Sequence, residues 1–371
     1  MAVPLLDLAA QYLEVGPGIE AAVLEVLRSG RYVLGPRVAA FERAAAEVCG
    51  TPHALGVSSG TDALLLALHA LGIGPGDEVV VPTFSFFATA GSVHRVGAQP
   101  VFADIDPVTF NLDPASLEAR VTTRTRAVIP VHLFGRCADM DDILDVAARH
   151  GLRVIEDAAQ AIGSEHRGRR AGSMGDVGCF SFFPSKNLGG AGDGGLVSSR
   201  DADLHDRMHL LRGHGSRPKY HHVLVGGNFR LDEVQAAVLA VKLPHVDAWS
   251  DARARNAAAY RERLADLAAD GRVVLPGDAP DGRHVWNQFT IRVPGARDRV
   301  ASRLHAAGIG TEIYYPGPLH MQPCFADLGG REGDCPQAER ACREVLSIPV
   351  FPELTGSQID EVCDALRGAF D

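Results

Sequence analysis

The chain has 371 residues, 46% hydrophobic and 6% aromatic, with a formal net charge of -10. That length exceeds what one hydrophobic core fills comfortably and points to two domains sharing one body. An acidic chain whose densest basic run is the turn-like 167–170 lacks the surface that neutralises phosphates, so no nucleic-acid partner is expected.

The chain opens MAVPLLDLAAQY, without a basic leader or a long apolar run, and no signal peptide is expected. Apolar periodicity predicts helices over 13–28, 37–49 and 61–71, the last starting at a capping residue and ending before Gly72. The most apolar stretch, 53–74, is interrupted by Ser58, Ser59, Asp62 and His69, which argues against a membrane span. Short β-branched runs follow at 78–82, 100–103, 127–131 and 153–156, with helical segments such as 140–150 between them. Strands alternating with helices imply right-handed crossovers and a mostly parallel sheet flanked by helices. Two further strands, 177–182 and 195–198, flank a Gly-rich loop. Residues 231–270 read as helix broken at Pro244. Beyond them, strands at 286–293, 310–315 and 347–350 alternate with helices at 297–307, 337–346 and 356–370. The expected organisation is a large α/β domain, 1–245, and a smaller C-terminal α+β domain, 246–371. Seven cysteines, none in a CxxC pair, argue against a disulfide framework or zinc site and for a reducing cytoplasm. No histidine spacing supports a metal.

Three fragments carry chemistry. Strand 153–156 runs into Asp157, and ligands sit at the carboxyl ends of parallel strands; a helix cap is the plainer reading of that aspartate alone. In SFFPSKNLGG (181–190), Lys186 follows a strand end and a proline, amid aromatics and glycines. A lysine that bonds a carbonyl has to be fixed, partly desolvated and reachable; alone it would pass for a loop lysine. SSGTD (58–62) opens a helix whose free N–H groups and positive dipole end suit an anion, with Gly60 permitting close approach. A plain Ser/Thr cap explains it equally well, with Asp62 pointing away.

Together these fragments supply what pyridoxal phosphate requires. Lys186 would bond its aldehyde carbon, and Asp157 would keep the ring nitrogen protonated. The Gly60–Thr61 helix end and Ser181 would hold the phosphate. PTFSFF (82–87) offers an aromatic for the ring face, although at least one of its phenylalanines belongs in the core.

Eight motifs in order along the chain then resemble the sugar aminotransferases of the DegT/StrS type, which have the fold type I architecture. They are RYVLGPRVAAFE (31–42), SSGTDALLLAL (58–68), GDEVVVPTFSFFATA (76–90), FADID (102–106), VIEDAAQAIG (154–163), SFFPSKNLGGAGDGG (181–195), GGNFRLDEVQAAV (226–238) and YYPGPLH (314–320). The resemblance implies that Lys186 is the Schiff-base lysine and proton shuttle, and that Asp157 pairs with the ring nitrogen. It implies that Gln160 approaches the phenolic oxygen side, Phe86 stacks on the ring, and Gly60, Thr61 and Ser181 bind the phosphate. Asn228 would reach the cofactor of the neighbouring subunit, in a homodimer with shared active sites. Lys186 is retained where some relatives have histidine and dehydrate instead, which favours transamination. The implied reaction takes an amino group from L-glutamate to a keto sugar on a nucleoside diphosphate. The loop 212–222 and GGNFR (226–230) favour a UDP-linked 3-keto hexose or hexuluronate. Arg217 and Arg230 could meet a diphosphate or carboxylate, Tyr220 and Tyr315 could stack on sugar or base, and His320 could bond a hydroxyl. Phe229 departs from the small residue expected before Arg230 in the uronate enzymes. The alternative substrate is a 3- or 4-keto dTDP-6-deoxyhexose.

Three rival readings differ in class. The match of 190–195 to GxGxxG leads into a strand, with no acidic residue about 20 positions on, so neither a dinucleotide site nor a kinase loop fits. A pyridoxal-phosphate-binding regulator without turnover would bind cofactor yet never form its amine form. A desulfurase or amino-acid aminotransferase would need a mobile-loop cysteine or a carboxylate-gripping arginine, and neither is assignable.

Overall fold

The protein is described by a computed structural model covering residues 2–371. Its central sheet has seven strands in the order His53–Val57, Gly195–Ser199, Val177–Ser181, Arg153–Asp157, Thr125–Val128, Glu78–Pro82 and Gln99–Ala103. Gly195–Ser199 runs antiparallel to both neighbours, and the other pairings are parallel. Both faces are covered, which is why these strands are continuously apolar instead of alternating. Val79, Val81, Ile129 and Ile155 pack with the Gly60–Ala70 helix on one face. Val80, Val128 and Val154 pack with Met140 and Ile143 of the Met140–His150 helix on the other. The Gly60–Ala70 helix is buried nearly all round, as its unbroken LLLAL requires.

A second cluster is built on the antiparallel pair Phe289–Arg292 and Val345–Ile348. It gathers Tyr260, Trp286, Leu304 and Val362, and the N-terminal Val3 joins it through a bridge to Ile309. The helix Val246–Arg263 connects the two bodies, with Val246 in a cluster of the first and Ala257 and Tyr260 in the second. Leu319 and Phe325 pack back onto the large sheet. We propose the division at 245–246 on the strength of the second cluster.

Three expectations change. Residues 310–315 form no strand: Gly310 donates to Val3, Glu312 makes one isolated bridge to Ser347, and Pro316 ends the run. The strand expected to 131 stops at Val128, two residues before Pro130. The helices Phe87–Arg95 and Ala202–Arg212 went unread; the former has no side-chain cap and carries Gly91. The seven cysteines are free, and only Cys324 is exposed. Among the described residues no helix is long and apolar enough to cross a membrane.

Candidate active site

The site lies at the carboxyl ends of the parallel strands, where the chain leaves the sheet after Val57, Pro82, Asp157 and Ser181. Ser59 caps the Gly60–Ala70 helix through the Asp62 amide, at 3.0 Å. The Gly60 and Thr61 amides, which no helix turn can satisfy, are left outward. A Cβ at Gly60 would stand 2.8 Å from the Ser181 Cβ, and one at Gly195 would stand 2.5 Å from the Ser59 carbonyl carbon. These glycines let a helix end, a strand end and the Ser181 hydroxyl meet. Asp62 accepts a bond from the Ser58 hydroxyl at 2.6 Å.

Asp157 is buried. Its Oδ2 accepts from the Thr89 hydroxyl at 2.8 Å and its Oδ1 from the Ala159 amide at 3.2 Å. Burial raises its pKa, although Thr89, Ala159 and the charges of Lys186 and His132 all favour the ionised form. Behind it lies a buried pair, Glu156 with His132 Nε2 at 2.8 Å. Glu156 also accepts three backbone amides, from Gly172, Met174 and Gly175. Burial opposes its charge, yet the bond and charge of His132 and the Gly175 and Gly172 amides hold its carboxyl below the usual range.

Lys186 sits on a tight turn, its amide bonded to the Phe183 carbonyl at 2.9 Å. Burial brings its pKa down to about 8, against the pull of Asp157. Gln160 is locked, accepting from the Phe134 amide at 2.6 Å and donating to the Tyr315 hydroxyl at 3.1 Å. Of the three phenylalanines, Phe84 is core and Phe87 stacks on Phe325, while Phe86 is 58% exposed and faces Tyr315.

The fold thus brings Lys186, Asp157, Gly60, Ser181, Gln160, Phe86 and Tyr315 to one end of the sheet, with Thr61 beside Gly60. It does not bring every substrate candidate there. Arg217 is an exposed side chain making a bidentate pair with Asp206 at 2.7 and 2.8 Å. Tyr220 is 83% exposed under the Lys219 ammonium, and Asn228 is exposed beside its backbone bridge to Gly213. Arg230 lines a cavity of about 410 Å³ with Ser58, Ser59, Asp62, Asp193 and Gln235, and has no ion-pair partner among the described residues. His320 is buried, its Nδ1 2.7 Å from the Thr83 hydroxyl and its Nε2 3.3 Å from Glu339.

Pyridoxal phosphate fits these residues. A buried carboxylate short of a cation suits a protonated ring nitrogen, a desolvated amine suits its aldehyde, and the Gly60–Ser181 cradle with outward amides suits its phosphate. Thr89 and the His132–Glu156 pair carry no local signal in the sequence, because each contact joins residues far apart along the chain. Thr89→Val should raise the Asp157 pKa further, because the lost bond favoured the charged form. The acidic limb of the activity profile should then move up by about one pH unit. An unmoved acidic limb would count against this role.

The model of the DegT/DnrJ/EryC1/StrS aminotransferase family matches residues 15–367. The chain is 50% identical over 366 residues to a pleiotropic regulatory protein of Geobacillus stearothermophilus, covering 99% of this chain and 98% of that one. It is 49% identical to a UDP-N-acetyl-3-dehydro-alpha-D-glucosamine 3-aminotransferase of Acidithiobacillus ferrooxidans, covering 99% and 97%. It is 48% identical to a dTDP-3-amino-3,4,6-trideoxy-alpha-D-glucose transaminase of Streptomyces venezuelae, covering 98% and 95%. Among solved structures, S. venezuelae DesV superposes with a TM-score of 0.95 at 48% identity, covering 99% and 98%.

Proposed function

Because the chain belongs to the DegT/DnrJ/EryC1/StrS aminotransferase family, whose cofactor is pyridoxal phosphate, we propose that it aminates a nucleotide-linked keto sugar with glutamate as donor. The observation that carries the chemistry is the desolvated Lys186 amine beside the buried, oriented Asp157. Bound pyridoxal phosphate supplies the carbonyl carbon that takes up nitrogen and the ring that stores electrons. Lys186 Nζ, whose pKa burial brings down to about 8, takes and returns a proton as general base and acid. Asp157 presents its charge to the ring nitrogen in one orientation, set by Thr89 and Ala159. Gly60, Thr61 and Ser181 would hold the phosphate, Phe86 would cover one ring face, and Gln160 would sit on the phenolic oxygen side. Of the substrate candidates, Tyr315 lies at the site and Arg230 lines the cavity beside Ser59, whereas Arg217 and Tyr220 stand on an exposed loop and His320 is buried against Thr83 and Glu339.

Two relatives whose names specify a 3-keto or 3-amino sugar support C3 as the aminated carbon, one with UDP and one with dTDP. We favour the UDP-linked 3-keto hexose or hexuluronate, on the loop 212–222 and Arg230, and place the enzyme in the cytoplasm. Mixing the pyridoxamine form with a panel of UDP- and dTDP-linked 3- and 4-keto sugars tests this. The UDP 3-keto sugar should restore the aldehyde form fastest; a clear preference for a 4-keto dTDP sugar would overturn it. The second reading, a regulator without turnover, draws on the name of the Geobacillus relative. It gains if no amino donor ever produces the pyridoxamine form.

The working unit is proposed to be a homodimer in which Asn228 of each chain reaches the other's cofactor phosphate, consistent with its exposure on an outward loop. Asn228→Ala should weaken cofactor retention. Mixing it with inactive Lys186→Ala should restore part of the activity if subunits exchange, and a fully active monomer in sedimentation would refute the arrangement.

A further inference from the structure

The turn that carries Lys186 is held from below by buried side chains that touch neither Lys186 nor the cofactor pocket. Gly189 closes the turn so tightly that a Cβ there would stand 2.2 Å from the Pro184 carbonyl oxygen. The Gly189 carbonyl, turned into the protein, accepts from the Lys242 ammonium at 2.6 Å. Lys242 is the last residue of the helix Glu233–Lys242 and is buried, so this bond is made away from water. On the other side, Asn187 donates to the Val285 carbonyl at 2.8 Å and accepts from the Asn287 amide at 2.7 Å. The Trp286 and Asn287 carbonyls in turn receive one guanidinium nitrogen of Arg253, at 3.3 and 3.4 Å. Arg253 lies on the helix Val246–Arg263 and is buried as well.

Neither Lys242 nor Arg253 has an ion-pair partner within 4.0 Å among the described residues, and a lone buried cation is costly. The carboxylate that acts on both is Glu353, on the turn before the last helix. Neither of its oxygens is hydrogen-bonded, and burial pushes its carboxyl above the usual range, so it captures neither cation. Lys242 and Arg253 are therefore free to spend their donors on carbonyls of the catalytic turn and of the segment clamping it. A surface lysine would do neither, because water would compete for the same carbonyl.

We propose that Lys242 and Arg253 are positioning residues that set the height and orientation of the Lys186 turn against Asp157. The proposal rests on the assignment of Lys186 as the covalent lysine, but its first readout does not. In the full-length enzyme, Lys242→Met should leave the fold and the borohydride-fixable attachment of cofactor at Lys186 intact. Hydrogen exchange of residues 183–191 should accelerate at least tenfold in both cofactor-loaded and cofactor-free protein, with the rest of the large sheet within twofold. The single-turnover rate with glutamate, normalised to loaded enzyme, should fall at least tenfold while the glutamate dissociation constant changes less than twofold. Should Lys242→Met fail to fold, Asn287→Ala removes the opposite tether and is read by the same two measurements. Wild-type exchange over 183–191, or wild-type single-turnover rate in the folded, loaded variant, would overturn the proposal. Accelerated exchange with a label on a lysine other than Lys186 would retain the tether and reject instead the assignment of the covalent lysine.

Discussion

Lys186→Ala should abolish transamination and the borohydride-fixable attachment of cofactor, while cofactor still binds through its phosphate. Two losses add: the covalent link, and a proton shuttle worth roughly 10²–10⁴-fold by itself. Mass analysis of reduced wild type should place the label on the peptide containing Lys186, and a label elsewhere would reject the assignment. The buried amine also predicts a pH dependence. Its pKa is lowered to about 8, mainly by burial. The neutral amine is the nucleophile, so cofactor capture by the stripped enzyme should rise roughly tenfold per pH unit below that value and flatten above it. A rate that kept climbing toward pH 10 would mean an exposed, ordinary lysine. Because the folded pKa is depressed for a cation, the stability cost of burying this amine is absent above its ordinary value of 10.5, grows as pH falls from there to about 8, and is constant below that.

Asp157→Asn should be the second largest loss. The substitution keeps shape, leaves the Ala159 amide an oxygen to bond, and lets the Thr89 hydroxyl turn to accept from the new side-chain amide, so the fold should persist. What disappears is the charge opposite the ring nitrogen. Removing one preorganised charge or donor from a dry site typically costs about 10²–10³-fold in rate. A fall of that order in the single-turnover rate is expected, with cofactor still attached at Lys186. Turnover within threefold of wild type would show that the ring nitrogen does not need this carboxylate.

The sequence alone determined what depends on neighbours along the chain. The strand Glu78–Pro82 and the helix Met140–His150 were readable to the residue because period and end signals are local. Lys186 and Asp157 are legible only in combination: each lies past or at the end of an apolar strand, where ligands sit in a parallel sheet, and together with Gly60 and Ser181 they match one cofactor. Tertiary structure decided what depends on partners far away. Thr89 reaches Asp157 from 68 positions off, on a helix that no cap announces. His132 becomes a buried partner of Glu156 only because adjacent strands bring them together. Residues 310–315 form no strand because Gly310 bonds the N-terminal Val3, Glu312 makes a single bridge to Ser347, and Pro316 ends the run. Lys242 and Arg253 carry no local signal in the sequence, and only the fold buries them against the carbonyls they bond. Propensity and periodicity act over a few residues, whereas desolvation and the choice of hydrogen-bond partner are set by whatever the folded chain brings alongside.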